Sequence, residues 1–306
     1  MLTKALLEDR AHMMAAARSF FATRGVMEVD VPILTQGASI DAHIDLMPAT
    51  YKRKDIRHLH SSPEHGMKRL LAHGSGDIYQ LSHVFRDGEL GARHNPEFMM
   101  VEWYRVGLPY ETLIEETLDF IRLFVGPLPV EHLTYAEAFQ RYLNLDYMKV
   151  TLADLDRPYL GLEKEDHDAL LNVYVGTYIE PNLGKEGLTV LKAYPASQAS
   201  LAKTQQDAQG RPIAERFEVY YKGLELCNGY HELTDPHEQR VRFEEANAYR
   251  LRLGKQPLPL DELFIKSLHK GMPDTCGVAV GFDRLMMLRH QAHSISQILP
   301  FPWAFA

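Results

Sequence analysis

Residues 85–105 read FRDGELGARHNPEFMMVEWYR, and the alternation in their second half decides how the surrounding chain is organised. As a strand, Glu97–Arg105 puts Phe98, Met100, Glu102 and Tyr104 on one face and Met99, Val101 and Trp103 on the other. The second of these faces is wholly apolar; the first mixes a ring, a carboxylate and a phenol. Such a face either looks onto water or floors a site, with the ring stacked on a flat ligand and the carboxylate meeting a cation. Immediately upstream, Arg86, Arg93 and His94 surround a glycine-rich turn, a grouping suited to a polyphosphate.

Moving outward, residues 78–86 supply a neighbouring strand, and SSPEHGMKRLLAHG (61–74) reads as a helix opened by Ser61 or Ser62 with Pro63 in its first turn. Residues 4–24 carry apolar side chains at helical spacing up to Gly25, and 26–34 alternate as a strand ending near Pro32. Residues 41–60 are polar, a loop or a hairpin. A helix is expected over 109–125, short helices and acidic loops over 126–190, and strands at 188–194, 216–221 and 224–233. A charged helix over about 236–252 precedes a closing strand and helix, GVAVGF and DRLMMLRH (277–290). Strands that follow one another with few helices between them predict an α+β fold with a mostly antiparallel sheet.

The second strand pair carries acids. If Lys222-Gly223 form a two-residue turn, Tyr220 faces Glu225 and Glu218 faces Cys227, leaving Glu218 and Glu225 diagonal on one face roughly 7–8 Å apart. They are either solvated surface glutamates or a pair that shares a Mg²⁺ bridging phosphates. Gly229 permits a bulge that would re-aim Asn228, Tyr230 and Glu232 towards the same place. Arg284 sits in the first turn of a helix, next to a positive helix end, so its charge serves a ligand or pairs with a neighbouring acid.

Bulk properties exclude several classes. The net charge is −8 and there is no Lys/Arg-rich run, which argues against nucleic acid as the main partner. No apolar run reaches the roughly 18 residues that would span a bilayer, so no membrane partner is expected. The N-terminus carries acids and lacks a signal-peptide pattern, and Cys227 and Cys276 are too few for a disulfide framework. The expected location is cytoplasmic.

The span 85–105 and GVAVGFDRL (277–285) resemble motifs 2 and 3 of the class II aminoacyl-tRNA synthetases, and RSFFATRGVMEVDVPIL (18–34) resembles motif 1, the helix and strand through which that class forms dimers. SPEHGMKRLL (62–71), PASQASLA (195–202) and YYKGLELCNGYHELTD (220–235) narrow the resemblance to the lysyl type, and within it to the elongation factor P–(R)-β-lysine ligases. It spans about residues 5–290. It implies a single class II catalytic domain over 1–306, a homodimer, ATP and Mg²⁺ as cofactors, and adenylation of (R)-β-lysine or lysine followed by transfer to a lysine side chain of elongation factor P. The motif 1 segment begins within about 20 residues of the start, so no anticodon-binding domain is expected before it and tRNA is not the expected acceptor.

Residue by residue, the resemblance implies that Arg86 and Arg284 are catalytic. Asp87, Gly88, Glu89, His94, Asn95, Phe98, Glu225, Leu226 and Gly281 would join them around ATP, with Phe98 on the adenine. Glu218 and Glu225 would bind Mg²⁺. Ser62, Pro63, Glu64, Glu102, Tyr104, Asn228, Tyr230, Glu232 and Ala279 would receive the amino acid, and the Ala279 methyl would favour a β-amino acid. Two departures stand out: Gly88 replaces a glutamate found in some members, leaving Glu89 or backbone for the adenine side, and the tail ILPFPWAFA differs from the family pattern. The competing readings are an α-lysine-activating enzyme that charges tRNA or another carrier, and a non-catalytic synthetase paralogue with a regulatory role. The presence of Arg86, Glu218, Glu225 and Arg284 argues against the last.

Overall fold

The computed structural model describes residues 2–37, 39–151, 154 and 167–306. The chain forms two compact units, one of residues 1–126 and 231–306 and one of residues 127–230.

In the first unit, helix α1 (Lys4–Ala22) is capped by Thr3, whose hydroxyl accepts from the Leu6 N–H. Its buried side, Met13, Ala17, Phe20 and Phe21, sets the Phe21 ring flat on Tyr79 at 4.1 Å and edge-on to Trp103 at 5.2 Å. Strand β1 is only Met27–Glu28, shorter than the alternation over 26–34 predicts. The chain leaves the sheet there because the Val31 N–H bonds the Gln80 side chain, at 2.9 Å, instead of a strand backbone. Strands β2 (Leu34–Thr35), β3 (Pro48–Tyr51) and β4 (Asp55–Leu59) make a small antiparallel sheet. Helix α2 (Glu64–Leu71) follows, then the hairpin of β5 (Ile78–Phe85) and β6 (Glu97–Val106), and helix α3 (Tyr110–Val125). After the second unit come α6 (Pro236–Arg252), α7 (Glu262–His269), β12 (Thr275–Gly281) and α8 (Phe282–Arg289). Strand β12 runs antiparallel to β6, with Ala279 opposite Glu102 and Gly277 opposite Tyr104.

In the second unit, β7 (Val130–Thr134) runs parallel to β8 (Leu188–Pro195), and β9 (Thr204–Gln206), β10 (Pro212–Tyr221) and β11 (Leu224–His231) complete an otherwise antiparallel sheet. Helices α4 (Tyr135–Leu143) and α5 (His167–Tyr174) cover a core in which Tyr135 stacks on Phe139 and meets Tyr147 and Tyr194. Strand β7 falls in the 126–190 stretch read as helices and loops; residues 152–153 and 155–166 of that stretch lie outside the described residues. The expected α+β class and mainly antiparallel pairing are thus what the chain forms.

Candidate active site

The mixed face of β6 is buried rather than solvated. Glu102 is 2% exposed and accepts the Tyr104 hydroxyl at 2.6 Å and the Ser62 hydroxyl at 2.7 Å. Ser62 also accepts the Glu64 N–H at 3.0 Å, and Pro63 stands at the N-cap of α2. One hydroxyl therefore ties the start of α2 to the sheet. Glu64 and Glu232 converge on the same place through a residue that sequence reasoning missed. The Lys68 ammonium lies 2.6 Å from Glu64 Oε1 and 2.6 Å from Glu232 Oε2, and its side chain is 0% exposed. On a helix, Glu64 and Lys68 read as an ordinary surface i,i+4 pair; only the fold reveals that the pair is interior.

Room for this cluster comes from the small residues of β12. A Cβ on Gly277 would lie 2.4 Å from the Tyr104 ring and 2.5 Å from Glu232 Oε1, so any side chain there would displace both. Ala279, beside Glu102 in the register, contributes one methyl to the same face.

The basic cluster lies in the same unit. Arg284 donates from Nη2 to His94 Nε2 at 2.8 Å, which requires His94 to be neutral. Burial, and then the charge of Arg284, hold its imidazole below the usual histidine range; Arg86 and Arg93 push the same way. Arg86 lies over the Phe98 ring at 5.2 Å and faces Glu89 at 3.7 Å, and its buried Nε has no hydrogen-bond partner among the described residues. Gly88 takes a φ of +77°, open to glycine at no steric cost, as the chain turns between Asp87 and Glu89. Asp87 is exposed, and its N–H bonds the Asp45 carbonyl. Gly281 brings β12 to Arg284, with the arginine Cδ 3.4 Å from where a Cβ would stand.

Asn95, expected at the nucleotide, has both side-chain polar atoms engaged with protein. It is buried, its Nδ2 donates to the Glu97 carbonyl at 2.6 Å and its Oδ1 accepts the Trp303 N–H at 3.1 Å. Both polar atoms bind protein, so Asn95 secures the arginine-rich turn to the C-terminal segment.

In the second unit, Lys222 and Gly223 make the expected turn, with φ of 53° and 66°, and Tyr220 does face Glu225. Glu218, however, faces Asn228 and not Cys227. The register shifts between Val219 and Tyr220, leaving Leu226 as the extra residue, so the bulge precedes the expected Gly229 position. Gly229 instead accommodates the Phe217 ring, 2.3 Å from where its Cβ would be. Glu218, Glu225, Asn228 and Tyr230 still share one face, through this different bulge. The Glu218 carboxylate accepts Tyr194 Oη at 2.6 Å, Tyr220 Oη at 2.5 Å and Arg216 Nη2 at 2.5 Å. The Asn228 Oδ1 is buried with no hydrogen-bond partner among the described residues, as a ligand-facing atom would be.

Comparison with known proteins agrees with this geometry. The family model for class II tRNA synthetases of the D, K and N type matches residues 2–304. The elongation factor P–(R)-β-lysine ligase of Pasteurella multocida is 41% identical over 302 residues, covering 95% of this chain and 93% of the relative. That of Klebsiella pneumoniae is 42% identical over 309 residues, covering 96% and 94%. The chain belongs to the elongation factor P–(R)-β-lysine ligase family of class II synthetases.

In this class II synthetase the carboxylates beside Lys68 are not ordinary acids. Burial and the charge of Glu64 push Glu102 up to about 7. Burial raises Glu232 to about 8, against the pull of Lys68. A cationic substrate favours their charged forms, so its binding expels protons wherever the empty site still holds them. The KM for an amine substrate should therefore fall as pH rises from about 6 to 8, by up to about tenfold per pH unit for each proton released, and level off above that. Pyrophosphate exchange across this range checks the direction; a KM that rises with pH would contradict it.

Proposed function

We propose that the chain activates (R)-β-lysine with ATP and transfers it to a lysine side chain of elongation factor P. The observation that carries this reading is the interior group of Glu64, Glu102 and Glu232 in the same unit as the Arg86, His94 and Arg284 cluster. Buried acids suit a substrate whose ammonium groups must be desolvated. The arginines suit the polyphosphate of ATP.

In the first step a substrate carboxylate oxygen attacks the α-phosphorus and pyrophosphate leaves. Arg86 and Arg284 stabilise the charge that develops there, and the carboxylates orient the amines, so positioning and electrostatics carry the catalysis. In the second step the acceptor amine attacks the acyl carbonyl, AMP leaves and the amine loses a proton, giving an amide. Phe98 offers a ring face for adenine. Of the residues assigned to Mg²⁺, Glu225 is half-buried and Glu218 has three of about four carboxylate acceptor sites occupied, so the pair fits an ion held mainly by Glu225. When bound, the ion would neutralise phosphate charge. The position of Ala279 beside Glu102 supports a role in choosing β-lysine over α-lysine. The motif 1 segment supports a homodimer.

Incubation of purified elongation factor P with the enzyme, ATP and (R)-β-lysine should add the mass of one β-lysyl group, read by mass spectrometry. Pyrophosphate exchange stronger with α-lysine would redirect the assignment to an α-lysine-activating enzyme. Exchange with neither amino acid would overturn both enzymatic readings.

A further inference from the structure

We infer that Lys68 is a resident counter-ion that holds the Glu64 and Glu232 side chains in place and thereby sets the charge of the pocket that receives the substrate amines. This rests on the proposed amino acid activation and adds a positioning residue to it. The three buried acids of this pocket are served in two ways. Glu64 and Glu232 are served by an internal cation, with Lys68 Nζ at 2.6 Å from each. Glu102 is served by two neutral hydroxyls, Tyr104 and Ser62, which bond a carboxylate without cancelling its charge. Once substrate binding has expelled their protons, three carboxylates and one ammonium carry a formal charge of −2, matching the two ammonium groups of a lysine isomer.

The groups that act on Lys68 come from three places: Glu64 on its own helix, Glu102 and Tyr104 on β6, and Glu232 just past β11. The Tyr104 ring centroid lies 6.0 Å from Nζ. A lysine with a 0% exposed side chain has no solvent role; its ammonium is desolvated and is kept charged by Glu232 and Glu64. In its absence Glu64 and Glu232 would be adjacent buried acids, and such a pair holds a proton between them at neutral pH. A proton can replace the lysine charge but not its position, and it leaves as pH rises. Lys68 thus fixes the position of both acids and favours their charged forms.

The test is Lys68→Met, which keeps the chain length and removes the charge, assayed by pyrophosphate exchange with (R)-β-lysine at several pH values. Lys68→Gln, which retains hydrogen-bonding capacity, is measured alongside. The expected result is a KM raised at least tenfold at pH 7 with kcat within about threefold, because Lys68 acts on binding and not at the reacting phosphorus. That KM should then fall at least tenfold between pH 7 and 9, whereas the wild-type KM is flat above about pH 8. A lysine that merely filled space would raise KM equally at every pH, and that outcome overturns the inference. So does an unchanged KM and pH profile, a loss confined to kcat, or failure of both variants to fold with substrate present, which would make Lys68 a folding element. Wild-type enzyme that exchanges with neither lysine isomer would instead strike the proposed function.

Discussion

Arg284→Ala should lower pyrophosphate exchange roughly 10²–10³-fold, the cost of losing one preorganised donor to a developing oxyanion, while thermal unfolding stays close to wild type. Arg284 is half-buried in the first turn of α8 and donates to a neutral imidazole at 2.8 Å. That imidazole is kept neutral by burial and by Arg284 itself, with Arg86 and Arg93 nearby. Cations gathered beside a positive helix end repel one another, so this arrangement favours an anion among them. Removing Arg284 weakens the phosphate-bound state. Activity retained within tenfold would refute the assignment.

The adjacent residue should behave in the opposite way. Asp283→Ala is expected to destabilise the protein by roughly 3–5 kcal/mol, because it breaks a buried ion pair by removing one partner. Asp283 is 1% exposed, its Oδ1 is 2.6 Å from Arg10 Nη1 and its Oδ2 accepts the Met99 N–H at 2.7 Å. Arg10, itself buried, also lies over the Phe282 ring at 5.2 Å. The aspartate thus ties α1, β6 and α8 together, and its loss leaves a buried cation and an unpaired N–H. A fall in unfolding temperature on the order of 10 °C is the expected readout, and Asp283→Asn, which keeps an acceptor for Met99, should fall between. A shift under about 2 °C would show that the pair carries little of the fold.

Residues 283 and 284 show how unevenly function was legible. Both belong to one short motif, and nothing local separates a phosphate-binding arginine from a structural aspartate. The distinction comes from Arg10, 273 positions away in the chain. Asn95 illustrates the same limit: its motif suggests a nucleotide contact, and the Trp303 N–H that also bonds its Oδ1 is remote in sequence. Lys68 was hidden for a third reason, since helical i,i+4 spacing describes an exposed pair and a buried one equally well.

The sequence by itself determined the longer helices, the antiparallel hairpin of β5 and β6, the turn at Lys222-Gly223 and the family, because hydrophobic periodicity, turn residues and contiguous motifs are local properties. It also identified Glu64, Glu102 and Glu232 as acids of one pocket, through the resemblance. Only the tertiary structure decided which charges neutralise one another. It closed Glu64 and Glu232 on Lys68, left Glu102 to neutral hydroxyls, committed Glu218 to Tyr194, Tyr220 and Arg216, and moved the bulge to Leu226. Pairing of buried charges depends on distance and desolvation in three dimensions, and neither is written in the spacing of residues along a chain.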